Sequence, residues 1–285
     1  MTTHSHSRLA GARSFLFVPG NRPERFEKAA GSGADAVVLD LEDAVPMSEK
    51  LIARRSIEKA WPALRSLAVP LVVRINAAEL PSGQDDLRWL VRLEGLAGVM
   101  VPKVECSEGL GIVRDLLPSV PILPLIESAS GYDALRAISA VPGVLRLVIG
   151  HIDFMADVGI QCDRDQSELA PLRFAVAMAT RLERLAPAID GVTADIHDAD
   201  RLRVDTQRAV RFGFGGKLCI HPRQVGVVHE GLTPSDEEVT WARQVVEADA
   251  RAYGAAIQLD GRMIDVPVVL QARRTLARAG GRSKS

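Results

Sequence analysis

Residues Pro121–Asp157 read PILPLIESASGYDALRAISAVPGVLRLVIGHIDFMAD. An apolar run, Ile122 to Ile126, ends in Glu127. A helix-like segment follows, and a second apolar run, Leu145 to Ile149, ends in Gly150-His151-Ile152-Asp153. The pattern predicts one strand–helix–strand unit with a carboxylate just past each strand. Two hard oxygen ligands at the same end of a parallel sheet suit Mg²⁺, which takes one or two carboxylates and keeps waters. The competing reading has Glu127 capping the helix near Gly131.

Outward from this unit the same alternation repeats. Toward the N-terminus, apolar runs lie at Ser14–Val18, Ala36–Leu39, Leu71–Ile75 and Gly98–Val101. Helix-patterned segments separate them, near Pro23–Ala30, Met47–Lys59, Asp85–Leu93 and Ser107–Leu116. Toward the C-terminus a helix is expected at Ser167–Leu185, a weak strand at Ala188–Thr193, a helix at Asp198–Phe212 and a last strand at Lys217–Ile220. Short β-rich runs alternating with longer helices mark βαβ units, and eight of them make a TIM (β/α)8 barrel. An open doubly wound sheet is the alternative, but no G-x-G-x-x-G follows the first strand.

The expected organisation is a disordered tail over 1–12, the barrel over 13–230 and a C-terminal helical extension over 231–285. The extension shows helices at Pro234–Tyr253 and Pro267–Ala279 around a small hairpin or loop at Ile257–Ile264. Residues Gly280–Ser285 are expected to fray. The 285 residues, 47% of them hydrophobic, suffice for one large core. A formal net charge of -1, with basic residues spread along the chain, implies no nucleic-acid field. The three cysteines, Cys106, Cys162 and Cys219, have no ligand-like spacing and read as reduced thiols. No leader-like or membrane-spanning apolar run is apparent, so a cytoplasmic protein is expected.

Active sites of such barrels lie at the C-terminal ends of the strands. Those ends carry Pro19-Gly20-Asn21, the acidic Asp40, Glu42 and Asp43, Arg74 with Asn76, Lys103, Glu127, Asp153, Asp190 with Asp195, and His221. Exposed strand ends are often polar, yet a scaffold alone does not need this set. Arg74, in VVRIN, is suited to clamp a substrate carboxylate bidentately; its alternative is an internal salt bridge with Asp40, Glu42 or Asp43. Lys103 would serve a Schiff-base aldolase, against an electrostatic or structural role. His221 reads as structural more than as an acid or base. His151, His197 and His229 share no spacing with it that would make a zinc site.

SFLFVPGNRPERFEKA, AVVLDLEDAV, VVRINA, VMVPKVE, LPLIES, GHIDF and KLCIHPRQ occur in this order. Together they resemble the citrate lyase β-subunit-like proteins of the HpcH/HpaI aldolase superfamily, over about Arg13 to Ala279. The resemblance implies a TIM barrel and a Mg²⁺-dependent carbon–carbon lyase acting on citryl-, malyl- or citramalyl-CoA-like thioesters of hydroxy acids, releasing a 2-oxo acid. By position, Glu127 and Asp153 match the metal ligands, with Glu127 also meeting substrate. Arg74 matches the arginine that holds the carboxylate, and Glu42 and Asp43 the acidic loop behind metal-bound waters. Asp265, in GRMIDVP, matches an acid/base aspartate that reaches a neighbouring subunit's site. The C-terminal helices would then form a lid in a homotrimer or hexamer. One departure stands out: the family commonly has Gly-Ala-Glu-Asp-Leu where this chain has Gly150-His151-Ile152-Asp153-Phe154, which points to a different substrate. The rival functions are the Schiff-base aldolase through Lys103 and a non-catalytic metabolite-binding barrel.

Overall fold

Runs such as AVVLD, LVVR, GVMV and ILPLI are rich in β-branched and other apolar residues, and nearly every side chain in them is buried. Burial on both faces is what a parallel sheet sheathed in helices requires. The computed structural model, which describes residues 2–252 and 256–280, shows where these runs go. Strands β1 (Ser14–Pro19), β2 (Ala36–Asp40), β3 (Leu71–Arg74), β4 (Gly98–Val101), β5 (Ile122–Ile126), β6 (Val148–Ile149), β7 (Ile189–Asp190) and β8 (Gly216–Cys219) pair in chain order. They close into a barrel. Closure is parallel, with Ser14 opposite Lys217 and Leu16 opposite Cys219. The protein is therefore a TIM barrel with additional C-terminal helices.

Alternate residues of a strand face opposite sides. Phe15, Val38, Val72, Met100, Leu123, Leu125, Val148, Ile189 and Leu218 meet in one buried cluster. Two strands are shorter than the apolar runs predict: β6 keeps only Val148–Ile149 and β7 only Ile189–Asp190. Arg146 lies in the part of the first run left outside β6. Its fully buried guanidinium turns out of the ladder to three carbonyls, Pro187 (2.6 Å), Ala12 (2.5 Å) and Leu9 (3.2 Å).

Those contacts correct the expected disordered tail over 1–12. Residues Thr2–Gly11 form a helix, and Leu9 and Ala12 are buried in the barrel cluster. One leucine in a polar stretch was enough, because it seals an apolar core and its carbonyl satisfies a buried arginine.

The chain divides into two compact units, Met1–His229 and Glu230–Ser285. In the second, the helix Asp236–Arg251 begins with a capping box: Ser235 Oγ accepts the Glu238 N–H, and Glu238 accepts the Ser235 N–H. A hairpin of β9 (Ile257–Leu259) and β10 (Arg262–Ile264) leads to the helix Val266–Gly280. Ala242, Val245, Ile264, Val269 and Ala272 form this unit's own core. The expected helix end at Tyr253 and the fraying of 281–285 lie outside the described residues. Among the described residues no helix is long and apolar enough to cross a membrane.

Because Leu9 is fully buried, Leu9→Ala should lower unfolding stability by about 2–5 kcal/mol in urea titrations. A mobile tail would give a change within about 0.5 kcal/mol.

Candidate active site

The C-terminal ends of the strands surround a cavity of about 810 Å³. Its lining includes Asp40, Asp43, Arg74, Glu127 and Asp153, contributed by the ends of four strands and the loops after them. Apolar side chains from the barrel, among them Phe17, Leu125, Ile149 and Leu218, make its floor and walls.

Glu127 follows β5 directly and is 4% exposed. Its Oε1 accepts the backbone N–H of Lys103 at 2.6 Å. Lys103 takes a positive φ of 50° to aim that N–H, a conformation costly for a residue with a side chain. On the other side Gly150 makes room: a Cβ there would sit 2.3 Å from Glu127 Oε2. Burial pushes the Glu127 carboxyl up to about 7; the Lys103 N–H opposes this, and the negative charges of Glu42 and Asp153 add to it.

Asp153 lies in the first turn of the helix His151–Val158, where the positive helix end favours a carboxylate. The sequence pattern did not reveal this helix, which is only eight residues long. It begins just after β6, so Glu127 and Asp153 come to one cavity from adjacent strands. The helix-cap reading of Glu127 fails, since Ser128 Oγ takes the Gly131 N–H instead.

Arg74 ends β3 and makes the internal salt bridge fully. Nε and Nη2 donate to Asp40 at 2.7 and 2.6 Å, and Nη1 lies 2.8 Å from Glu42. Its guanidinium also stands 4.8 Å from the Phe17 ring centre. A guanidinium has more donors than these contacts use, and Arg74 still lines the cavity. Burial works against its charge, but the Asp40 and Glu42 carboxylates outweigh it and hold its pKa above the usual value.

Lys103 Nζ lies 2.8 Å from Glu42 and 3.5 Å from Asp43. The Glu42 hydrogen bond raises its pKa, so the amine is held as an ammonium. A Schiff base needs a neutral amine, which the ion pair disfavours. Glu42, buried between the two cations, is pushed up by burial while Arg74 and Lys103 pull against it. Its place is behind Arg74, outside the cavity lining, whereas Asp43 is on it.

Three further candidate groups have their own partners. Asp190 is fully buried, 3.2 Å from Arg173 and 4.0 Å from Lys217, and does not line the cavity. His221 does line it, while its Nδ1 accepts the Arg223 N–H at 3.2 Å. Asp265, in the second unit, precedes the helix Val266–Gly280 and accepts the Val268 N–H at 3.3 Å. Sequence reading missed Arg25 and Lys28, which place two cations at the cavity. Their i, i+3 spacing just past β1 was the available signal.

Among the described residues no three or more His, Cys, Asp or Glu side chains converge as a metal-holding group. Two carboxylates nevertheless fit the sparing protein ligation of Mg²⁺. Glu127, buried on the same cavity as Asp153 in the space that Gly150 leaves open, would suit such an ion.

A (β/α)8 barrel with acids and arginines gathered at its strand ends defines an enzyme site. The chain belongs to the HpcH/HpaI aldolase/citrate lyase family, whose pattern matches residues 13–222, and it is a lyase. It is 37% identical over 279 residues to the citrate lyase subunit beta-like protein of Deinococcus radiodurans, covering 93% of this chain and 96% of that one. It is 32% identical over 271 residues to a (3S)-malyl-CoA thioesterase of Cereibacter sphaeroides, covering 94% of each. Among solved structures it is similar to CitE of Mycobacterium tuberculosis in complex with magnesium, acetoacetate and coenzyme A. There the TM-score is 0.82 and the identity 32%, covering 95% of this chain and 99% of the other.

The position of Glu127 makes metal-free stability pH-dependent. Folding raises its carboxyl from 4.5 to about 7, so the stabilisation is complete below the lower value and is lost as pH rises through the upper one. With chelator present, urea titrations should lose about 3 kcal/mol from this group between pH 4.5 and 8. Glu127→Gln should remove that loss; an unchanged pH slope in the variant would contradict the assignment.

Proposed function

We propose that the chain is a Mg²⁺-dependent carbon–carbon lyase that cleaves, or forms by condensation, a hydroxy acid or its CoA thioester of the citryl-, malyl- or citramalyl-CoA kind. A 2-oxo acid is the released product. The observation that carries this reading is Glu127: a buried carboxyl raised to about 7, on the same cavity as Asp153, in space that Gly150 leaves open. Glu127 and Asp153 would hold the ion. When bound, Mg²⁺ supplies a Lewis acid for the oxygens of a 2-hydroxy or 2-oxo carboxylate.

The chain's own residues do the rest. Arg74, locked by Asp40 and Glu42, offers its remaining N–H groups to the substrate carboxylate without having to be reoriented. Phe17 shields that guanidinium on one face. Arg25 and Lys28 give the cavity a cationic side, which fits the phosphates of a CoA carrier. The malyl-CoA relative and the CoA-bound CitE structure support a thioester substrate. Protonation of the departing enolate falls to Asp265 from a neighbouring copy, with the C-terminal helices as the lid of a homotrimer or hexamer. The Val268 N–H fixes its carboxylate at the helix start, a rigid mount for an acid.

Glu127→Gln and Asp265→Asn should each abolish thioester cleavage, measured as free CoA and 2-oxo acid. Mixing the two dead variants under conditions of subunit exchange should restore turnover, because some sites then combine an intact Glu127 with an intact Asp265. No recovery in proven mixed oligomers would refute the shared site.

A further inference from the structure

The cavity contains a polar side chain that the proposed chemistry leaves unused. His151 opens the helix His151–Val158, is 5% exposed, and lines the cavity beside Gly150. One edge of its ring packs on the backbone of Gly191, just after β7. A Cβ at Gly191 would lie 2.2 Å from Nδ1 and 3.0 Å from Cε1, so only glycine at 191 admits this ring here. The seat under the ring is fixed. Lys217 Nζ donates to Gly191 O at 2.6 Å, Gln224 Nε2 to Thr193 O at 2.8 Å, and Arg173 pairs with Asp190 at 3.2 Å. All these partners are buried.

The same packing sets the tautomer. Nδ1 is sealed from solvent and has no hydrogen-bond partner. A buried N–H without an acceptor is rarer and costlier than an under-used lone pair, so Nδ1 carries the lone pair and Nε2 the proton. With the Nδ1 edge against β7, the cavity meets the other edge of the ring. The lining also includes Ile149, Val192 and Leu218, beside the charged groups described above. A buried N–H donor on the lining discriminates between ligands, because one that cannot accept from it leaves it unpaired.

We propose that His151 is a specificity-determining residue, whose Nε2–H donates to an oxygen on the side chain of the 2-oxo acid. The preferred substrates are then those whose released acid bears a hydroxyl, carbonyl or carboxylate oxygen on its third carbon, rather than a bare alkyl group. Lys217 is a positioning residue that acts through Gly191. This assignment rests on the lyase reading above and adds the side-chain chemistry of the acid.

The test is calorimetric binding of pyruvate and 3-hydroxypyruvate to the full chain with Mg²⁺, which needs no turnover. The wild type should bind 3-hydroxypyruvate about tenfold more tightly than pyruvate. His151→Phe fills the space without a donor and should bring the two affinities together. Gly191→Ala, which displaces the ring and leaves the histidine in place, should do the same, and His151→Gln should restore part of the preference. Thermal unfolding identifies any variant that does not fold, and the other two then carry the comparison. A wild type that favours pyruvate or neither acid, or a preference that survives His151→Phe and Gly191→Ala, overturns the role of His151. If pyruvate binding is Mg²⁺-dependent and lost in Glu127→Gln while the preference ignores residue 151, only this inference falls. If neither acid binds the wild type in a Mg²⁺-dependent way, the lyase reading falls and this assignment with it.

Discussion

A carboxylate held out of water among other carboxylates is the constraint around which the top of this barrel is built. Glu127 is buried, and Glu42 and Asp153 both act on it as like charges. Such a group either keeps its proton or finds a cation. The surrounding chain accepts local costs to keep it there. Lys103 adopts a positive φ so that its backbone N–H reaches Glu127, and residue 150 stays without a side chain. Strain at a strand end of an enzyme barrel is where function is expected to reside.

The charges next to Glu127 are arranged to hold still. Asp40 and Glu42 grip Arg74 from two sides, and Lys103 closes the other side of Glu42. Each buried ion therefore has a counter-ion, which offsets desolvation. The result is an arginine with little freedom left and donors to spare, suited to orient an anion. The internal salt bridge, one of two alternatives on sequence alone, is made, and it leaves donors over for the proposed substrate clamp.

Much of this was legible in the sequence because the barrel writes its strands as unbroken apolar runs. Those behind β2 to β5 are of this kind, and Arg74 and Glu127 follow from where the runs stop. What was not legible has physical causes. A strand-end census treats every terminal polar group as cavity-facing, yet alternate residues point opposite ways. Ile189 faces the barrel core, so Asp190 turns outward to Arg173. The N-terminal helix was hidden because its sequence is polar apart from Leu9 and Ala10. The helix bearing Asp153 was hidden because eight residues give too little periodicity. The strained φ of Lys103 has no signature in VPKVE, and so the residue's backbone role could not be read. The ordered motif set suggested the metal ligands, while the seat of the unusual His151 on Gly191 shows only in the structure.

The most direct test is a crystal structure of the full chain grown with Mn²⁺ in place of Mg²⁺ and with pyruvate, using the anomalous signal to place the ion. One ion is expected between Glu127 and Asp153, with the acid's oxygens completing its coordination and the acid's carboxylate on Arg74. An ion bound elsewhere, or pyruvate joined covalently to Lys103 with no metal at Glu127, would contradict that expectation.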